Sequence, residues 1–381
     1  MKLILLLTSL SVVTGEVPEA SENGRSITYS NYKQKSFFFL PPIIPLNSFK
    51  RRKQHTTTTK QPCIGDCGLQ GFCSSKSDCT STGGTASGLC TDSTVCCINY
   101  VKCGTETSSE LSYFVNPEHP QAYKGGSQCL LKVKKTDSRI CQLRIEFKEF
   151  SLAQPNQEGK CVNDFFSVSD CTMNKICGEN KGQHVYVDFG EGKDTLVLSV
   201  DTNGAEKVLR MWNMEIKQIP CESSLLAPSG CLMYFTGTSG TVSSFNYGEL
   251  KLQESRRNRQ IRGINYGICV KSKQEYCAIE WNADKDPYSF TVSGNSSSIE
   301  TQGGVEYRGE FCRSNFIVVA NPFRNGSSVN TDRFCGSSLA PFTTSAKPFV
   351  LYVVVGQNIA QDVDEGNRGF KLNFRQLPCS N

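Results

Sequence analysis

From about residue 100 onward the chain alternates between apolar and polar positions. Cys141, Leu143, Ile145 and Phe147 alternate with Gln142, Arg144 and Glu146. Leu196, Leu198 and Val200 repeat the pattern, as do Trp212, Met214 and Ile216. Cys277, Ile279 and Trp281 follow, then Phe370, Leu372 and Phe374. A period of two with one polar face predicts half-buried antiparallel strands. No amphipathic helix longer than two turns is expected. Turn-rich segments such as NPEHPQAYKGG and DTNGAEK separate the runs. Many short strands with regular turns predict an all-β sandwich architecture.

The first third of the chain differs. Residues 1–15, MKLILLLTSLSVVTG, place one lysine before an apolar run, with Val13 and Gly15 at the −3 and −1 positions of a cleavage site. This predicts a signal peptide, too short to span a bilayer, and a secreted product. The nearest later apolar run, SFFFLPPIIPL, is interrupted by Pro41, Pro42 and Pro45, so no transmembrane segment is expected. Residues 16–62 show no period and end in FKRRKQHTTTTKQP, which reads as a disordered basic linker. Residues 1–62 hold nine Lys or Arg against three Glu, a surplus of six within a chain of net charge +5. Such an arm is expected to be solvated, with a sulfated glycan as a candidate anionic ligand.

Twenty cysteines in an exported chain predict disulfides. No two of them stand three positions apart, which disfavours zinc knuckles. The even total predicts ten bridges and no free thiol. Seven cysteines crowd residues 63–97, a stretch too poor in apolar residues to bury a core, so its bridges are expected to hold it. Vicinal Cys96 and Cys97 are expected to take different partners. Used as rulers, the later cysteines reveal a repeat. CLLKVKKTDSRICQLRIEF parallels CVKSKQEYCAIEW, ICG at 176–178 parallels FCG at 334–336, and MEIKQIPC parallels LNFRQLPC. Two homologous sandwiches are therefore expected, at 103–221 and 231–379, joined by ESSLLAPSG.

The opening of the first repeat, CGTETSSELSYFVNPEHPQAYKGGSQC, resembles that of a CUB domain. Its turn, Asn116-Pro117-Glu118-His119-Pro120-Gln121-Ala122-Tyr123, is similar to the family's Ser-Pro-x-Tyr-Pro-x-x-Tyr, with histidine replacing the first tyrosine. IEFKEF, CVNDFFSV and ICG resemble further family strands, and CRSNFIVV, FCG and RGFKLNF keep the pattern in the more divergent second copy. Taken with GGTASGLC, VCC and APSGCLMYFTGTSGTVSSFNY, the chain is similar to secreted arthropod CUB-domain proteins. The Cys-rich stretch faintly resembles a clip domain. The resemblance implies two jelly-roll β-sandwiches after a small disulfide-rich module. It also implies the pairs Cys103–Cys129, Cys161–Cys177, Cys231–Cys269 and Cys312–Cys335. It leaves Cys141, Cys221, Cys277 and Cys379 open. Seven cysteines in the module and seven in the first CUB region, counting Cys171, suggest one bridge between them, with Cys63–Cys171 the expected choice.

Three kinds of chemistry have candidate residues in this chain. Of the histidines, His55 lies in the linker and His119 in the turn, leaving His184 alone. No Gly-x-Ser-x-Gly or His-Glu-x-x-His accompanies it, so a hydrogen-bonded structural histidine is expected, on a strand where Val185 and Val187 alternate with Tyr186 and Asp188. Many CUB domains hold calcium through a Glu and two Asp. Here Ala153 takes the Glu position, leaving Asp164 and Asp201 as remnants, and the second copy reads Ser293 and Asn315. No metal and no other cofactor is expected. In SRRNRQIR, Arg256, Arg257, Arg259 and Arg262 form a candidate anion-binding segment. Asn295 and Asn325 are glycosylation sequons. The expected function is non-enzymatic protein interaction or adhesion outside the cell. Its partners are extracellular proteins and sulfated glycans, not nucleic acid. The alternatives are a non-catalytic regulator of an extracellular clip-type serine protease cascade, or a glycan-binding protein.

Overall fold

The alternating runs form strands whose burial follows the period. In Gln128–Lys134 and Thr195–Asp201 every second side chain is buried. The computed structural model describes residues 61–379 apart from 92, 170–172, 174, 204–206, 249–258, 295, 297, 298 and 358–366. The expected signal peptide, the linker up to residue 60 with its His55, and Cys171, Arg256, Arg257 and Asn295 lie outside the described residues. The architecture is all-β, with α-helices only at Lys76–Ser81 and Ile299–Gln302 among the described residues.

In the first sandwich, one sheet runs Phe165–Val168, Thr195–Asp201, Gln128–Lys134, Thr105–Thr107. It faces a sheet of His184–Asp188, Ile140–Ser151, Met211–Pro220, Leu111–Val115 and Tyr100–Val101. Between them Phe147, Phe150, Phe166 and Trp212 are almost fully buried, with Phe147 and Phe166 edge-to-face at 5.8 Å. In the second sandwich, Cys231–Phe235, Asn265–Val270, Phe349–Val355, Asn315–Val318, Arg333–Gly336 and Glu306–Arg308 form one sheet. The other is centred on Gly369–Pro378 and Tyr276–Ala283. Trp281, Phe370 and Leu372 fill its core.

Each sandwich carries the same internal clamp. Gln218 Nε2 donates to the carbonyls of Ser109 (3.2 Å) and Lys134 (2.8 Å), and Oε1 accepts from Thr136 N–H (2.9 Å). Gln376, at the equivalent place, donates to Gly237 (2.9 Å) and Lys271 (3.0 Å) and accepts from Lys273 N–H (3.0 Å). Disulfides Cys141–Cys221 and Cys277–Cys379 tie the same strand pair in each copy. The bridges Cys103–Cys129, Cys161–Cys177, Cys231–Cys269 and Cys312–Cys335 are present.

The Cys-rich module is a four-stranded sheet in the order Pro62–Ile64, Gln70–Ser74, Thr94–Ile98, Thr85–Thr91. Ser75 caps its helix, Oγ accepting from Asp78 N–H at 3.1 Å. Its bridges are Cys63–Cys96, Cys73–Cys90 and Cys79–Cys97. The expected Cys63–Cys171 bridge is thereby corrected. Cys63 sits on an edge strand whose neighbour pairs directly with the strand of Cys96, so the short-range partner wins. The expectation of no free thiol also fails: Cys67 is free and exposed. Nor do bridges alone hold the module. Cys96 and Ile98 share a cluster with Leu111, Tyr113 and Val115 of the first sandwich, and Tyr113 Oη donates to Gln70 carbonyl at 2.8 Å. Strand Leu111–Val115 is therefore buried on both faces.

Candidate interaction surface

Asp164 immediately precedes strand Phe165–Val168 and is buried. Arg210 Nε donates to its Oδ2 at 2.7 Å, and Nη2 donates to Oδ1 at 3.0 Å. Ala153 N–H donates to Oδ2 at 2.9 Å. The guanidinium is completed by Nη1 donating to the carbonyls of Lys124 and Val208, at 2.6 and 2.7 Å. Gly125 permits this approach: its φ is +83°, and a Cβ there would lie 2.8 Å from the guanidinium carbon. Side-chain exposure of Arg210 and Asp164 is 1% and 0%, so the pair is sealed from water.

Calcium requires six to eight oxygens. Here both oxygens of the central carboxylate are committed to a fixed cation and an amide. Ala153 offers no carboxylate, and Asp201, beside Phe165 across the sheet, accepts from Asn203 N–H at 3.0 Å. The residues present do not fit the ion. In the second sandwich Ser293 Oγ accepts from Gly336 N–H (2.9 Å) and Asn315 Oδ1 from Gly356 N–H (3.1 Å), so both serve the backbone.

His184 lies at the seam between the sandwiches. Its Nε2 is 3.1 Å from Tyr234 N and 3.0 Å from Tyr234 O, and its ring meets Phe235 edge-to-face at 4.9 Å. Burial, reinforced by nearby Arg144, lowers its pKa to about 4, so it is neutral at physiological pH. The alternation expected here gives way to four consecutive buried residues, because the second sandwich covers the outer face as well. Tyr186 packs on Tyr234 at 5.9 Å.

Further along the seam, Asn246 is fully buried with φ +59°. Its N–H donates to Asn180 Oδ1 (2.7 Å), and its Oδ1 accepts from Glu179 N–H (2.8 Å). Nδ2 donates to Gln154 Oε1 and to Arg259 carbonyl, both at 2.9 Å. Gly178 is the counterpart: a Cβ there would lie 2.0 Å from Asn246 Oδ1. Gln183 Nε2 adds donations to Ser243 and Ser244 carbonyls at 3.0 and 3.1 Å.

The arginine segment divides. Arg259 Nη1 donates to Gln157 carbonyl across the seam at 2.9 Å. Arg262 N–H bonds Gly159 carbonyl at 2.9 Å, and its side chain lines a cavity of about 370 Å³ with Lys160 and Lys175. A second concavity, about 610 Å³, is lined by Arg144, Glu146, Lys148 and Glu215 from the first sandwich and Tyr234 and Phe374 from the second. Its charges are already matched: Lys148 Nζ lies 3.0 Å from Glu146 and 3.2 Å from Glu215, and Arg144 pairs with Glu146. Burial opposes ionisation of Glu146, yet the two cations hold its pKa below the usual value. Asn325 is exposed on the turn between Pro322–Arg324 and Ser327–Ser328.

Sequence reasoning passed over Arg210, Asn246 and Gly178. A signal existed for the first. Arg210 and Arg368 each stand eleven residues before the last cysteine of their repeat, an unusual place for a charge in an apolar strand.

The family model described as the CUB domain matches residues 103–208, and that described as the animal CUB domain matches residues 228–377. Solved structures with similarity include the CUB1-EGF-CUB2 domains of rat MASP-1, at 12% identity and TM-score 0.26, covering 73% of this chain and 100% of that one. The human MASP-1/3 CUB1-EGF-CUB2 domain gives 12% identity and 0.25, covering 71% and 100%. The full extracellular region of zebrafish Gpr126/Adgrg6 gives 12% and 0.26, covering 74% of this chain and 37% of that one. A search of curated proteins found no match.

Proposed function

This chain carries two CUB domains, and from that premise we propose that it is a secreted, non-catalytic interaction protein whose joined sandwiches present one rigid, calcium-independent surface to an extracellular protein. CUB domains are interaction modules, and their disulfides suit an oxidising compartment. The observation that carries the reading is the sealed Asp164–Arg210 pair: a protein cation stands where an ion-dependent CUB surface needs calcium. The seam supports the rigid part, since Asn246 and Gln183 bond groups from both sandwiches. His184 supports the non-catalytic part, because its Nε2 is engaged by backbone rather than facing a nucleophile.

Affinity capture from extracellular fluid, using the full mature chain with and without chelator, tests the proposal. The expected result is the same captured proteins at the same yield in both arms. Capture that disappears with chelator would refute calcium independence. Turnover by the purified protein that is lost in His184→Gln would refute the non-catalytic reading.

A further inference from the structure

We propose that the 370 Å³ cavity at the seam is a binding site for a sulfated polysaccharide, built jointly by the two CUB domains. Its cations come from three separate chain segments. Lys160 and Lys175 flank the Cys161–Cys177 bridge of the first sandwich, and Arg262 belongs to the second. The remaining lining is neutral, including Ile261, Gly263 and Gln357; no carboxylate lines the cavity among the described residues. Neither lysine has a carboxylate partner among the described residues. Lys175 Nζ rests 3.7 Å from the centre of the Phe165 ring.

The backbone holds these charges together. Asn156 Oδ1 accepts from Lys160 N–H at 2.9 Å, Asn156 N–H donates to Lys160 carbonyl at 3.0 Å, and Gly159 turns the loop at φ +76°. Gly159 carbonyl then accepts Arg262 N–H across the seam. The two ammonium groups, neither with a carboxylate among the described residues, repel one another, and an anion relieves the repulsion without reorganising the loop, which favours binding. The volume falls at the small end of the roughly 300–1,000 Å³ typical of ligand pockets. The two ammonium groups make point-charge contacts from flexible stems, while Arg262 ties the second domain to the site through its backbone. That arrangement suits several sulfates spaced along one saccharide chain. The mixed-charge cleft differs, because Lys148 and Arg144 there pair with Glu146 and Glu215, whereas Lys160 and Lys175 have no carboxylate partner among the described residues.

The test uses the full mature chain in which Arg25, Lys33, Lys35, Lys50, Arg51, Arg52, Lys53 and Lys60 are replaced by Gln, so that the basic linker cannot contribute. A heparin-derived octasaccharide, its desulfated counterpart and poly-glutamate are titrated by calorimetry over a range of NaCl. The proposal expects binding of the sulfated octasaccharide alone, weakening with salt. Lys160→Gln/Lys175→Gln should raise its Kd by about tenfold or more, as loss of two charge-assisted contacts implies. Arg375→Gln, an exposed cation on another strand, should leave it unchanged. Both lysines are exposed, and an unchanged thermal transition verifies that the double variant is folded. No octasaccharide binding, an unchanged Kd in the double variant, equal affinity for the desulfated sugar, or preference for poly-glutamate would each overturn it.

Discussion

Arg210 in the first sandwich and Arg368 in the second occupy the same place in the repeat, and both are buried. Arg210 has a bidentate carboxylate at 2.7 and 3.0 Å with no water access. Arg368 belongs to the domain whose cysteine motif carries Asn315 in place of an aspartate. Its Nη2 lies 3.7 Å from Asp286, a carboxylate one-third exposed, and its guanidinium stacks over Tyr288 at 4.8 Å and Tyr247 at 5.7 Å. Nη1 donates to Gly248 carbonyl at 2.9 Å. One framework thus buries a cation against two kinds of described partner: a sealed bidentate carboxylate, or a solvent-touching carboxylate with aromatic faces and a carbonyl. The difference teaches that the arginine recurs at one place in the repeat while the described carboxylate beside it changes in position and exposure.

The largest effect that sharpens this contrast concerns Arg210. Arg210→Met strands a buried carboxylate and should cost about 3–5 kcal/mol by chemical denaturation. Arg210→Met/Asp164→Asn should recover much of that, giving a strong coupling in a double-mutant cycle. Arg368→Met should cost less, about 1–3 kcal/mol, because Asp286 keeps contact with water. Equal costs at the two arginines would break the comparison.

Next in size is His184, which joins the two domains. Its folded pKa of about 4 lies below the unfolded value of about 6.5, so the unfolded chain takes up the proton first as pH falls. Its contribution is therefore intact above pH 6.5 and is lost as pH falls towards about 4, by up to ~3 kcal/mol. His184→Gln should remove that part of the pH profile while leaving the profile below pH 4, where carboxylates titrate. Gly178→Ala should cost about 2 kcal/mol, since it combines an unfavourable φ with a contact into Asn246. Hydrogen exchange should then rise at Asn180 and Asn246 but not in the cores. Smallest, Gln218→Ala and Gln376→Ala should each cost about 1–2 kcal/mol. A ratio near one between them would show that this clamp, unlike the arginine, is used identically in both copies.

Much of the strand framework was legible because half-burial imposes a period of two. Leu143, Ile145, Phe147, Trp212, Ile279 and Phe370 all lie in the cores. The pattern lost its meaning where a strand is covered twice. The first four residues of His184–Asp188 and all of Leu111–Val115 are buried, and their outer partners come from distant chain segments that a local period cannot register. Ala153, where the resemblance implied a glutamate, was visible in the sequence, but the partner of Asp164 was not. Arg210 reaches Asp164 from 46 residues away, and only the fold brings them together. Likewise SRRNRQIR read as a single basic loop, whereas the structure commits Arg259 to a carbonyl and places Arg262 in the lining of a cavity shared with Lys160 and Lys175. Bridge assignment by odd counts failed at Cys63 because strand pairing, not cysteine arithmetic, sets which sulfurs meet.

The doubly covered strand Leu111–Val115 has a practical corollary for dissecting this protein. A fragment cut just before Cys103 would lay bare Leu111, Tyr113 and Val115 as a greasy stripe and leave the Tyr113 hydroxyl without Gln70. Any attempt to express the first CUB unit alone should therefore retain the chain from Gln61, and its poor solubility without that cover would report a missing neighbour rather than a misfolded sandwich.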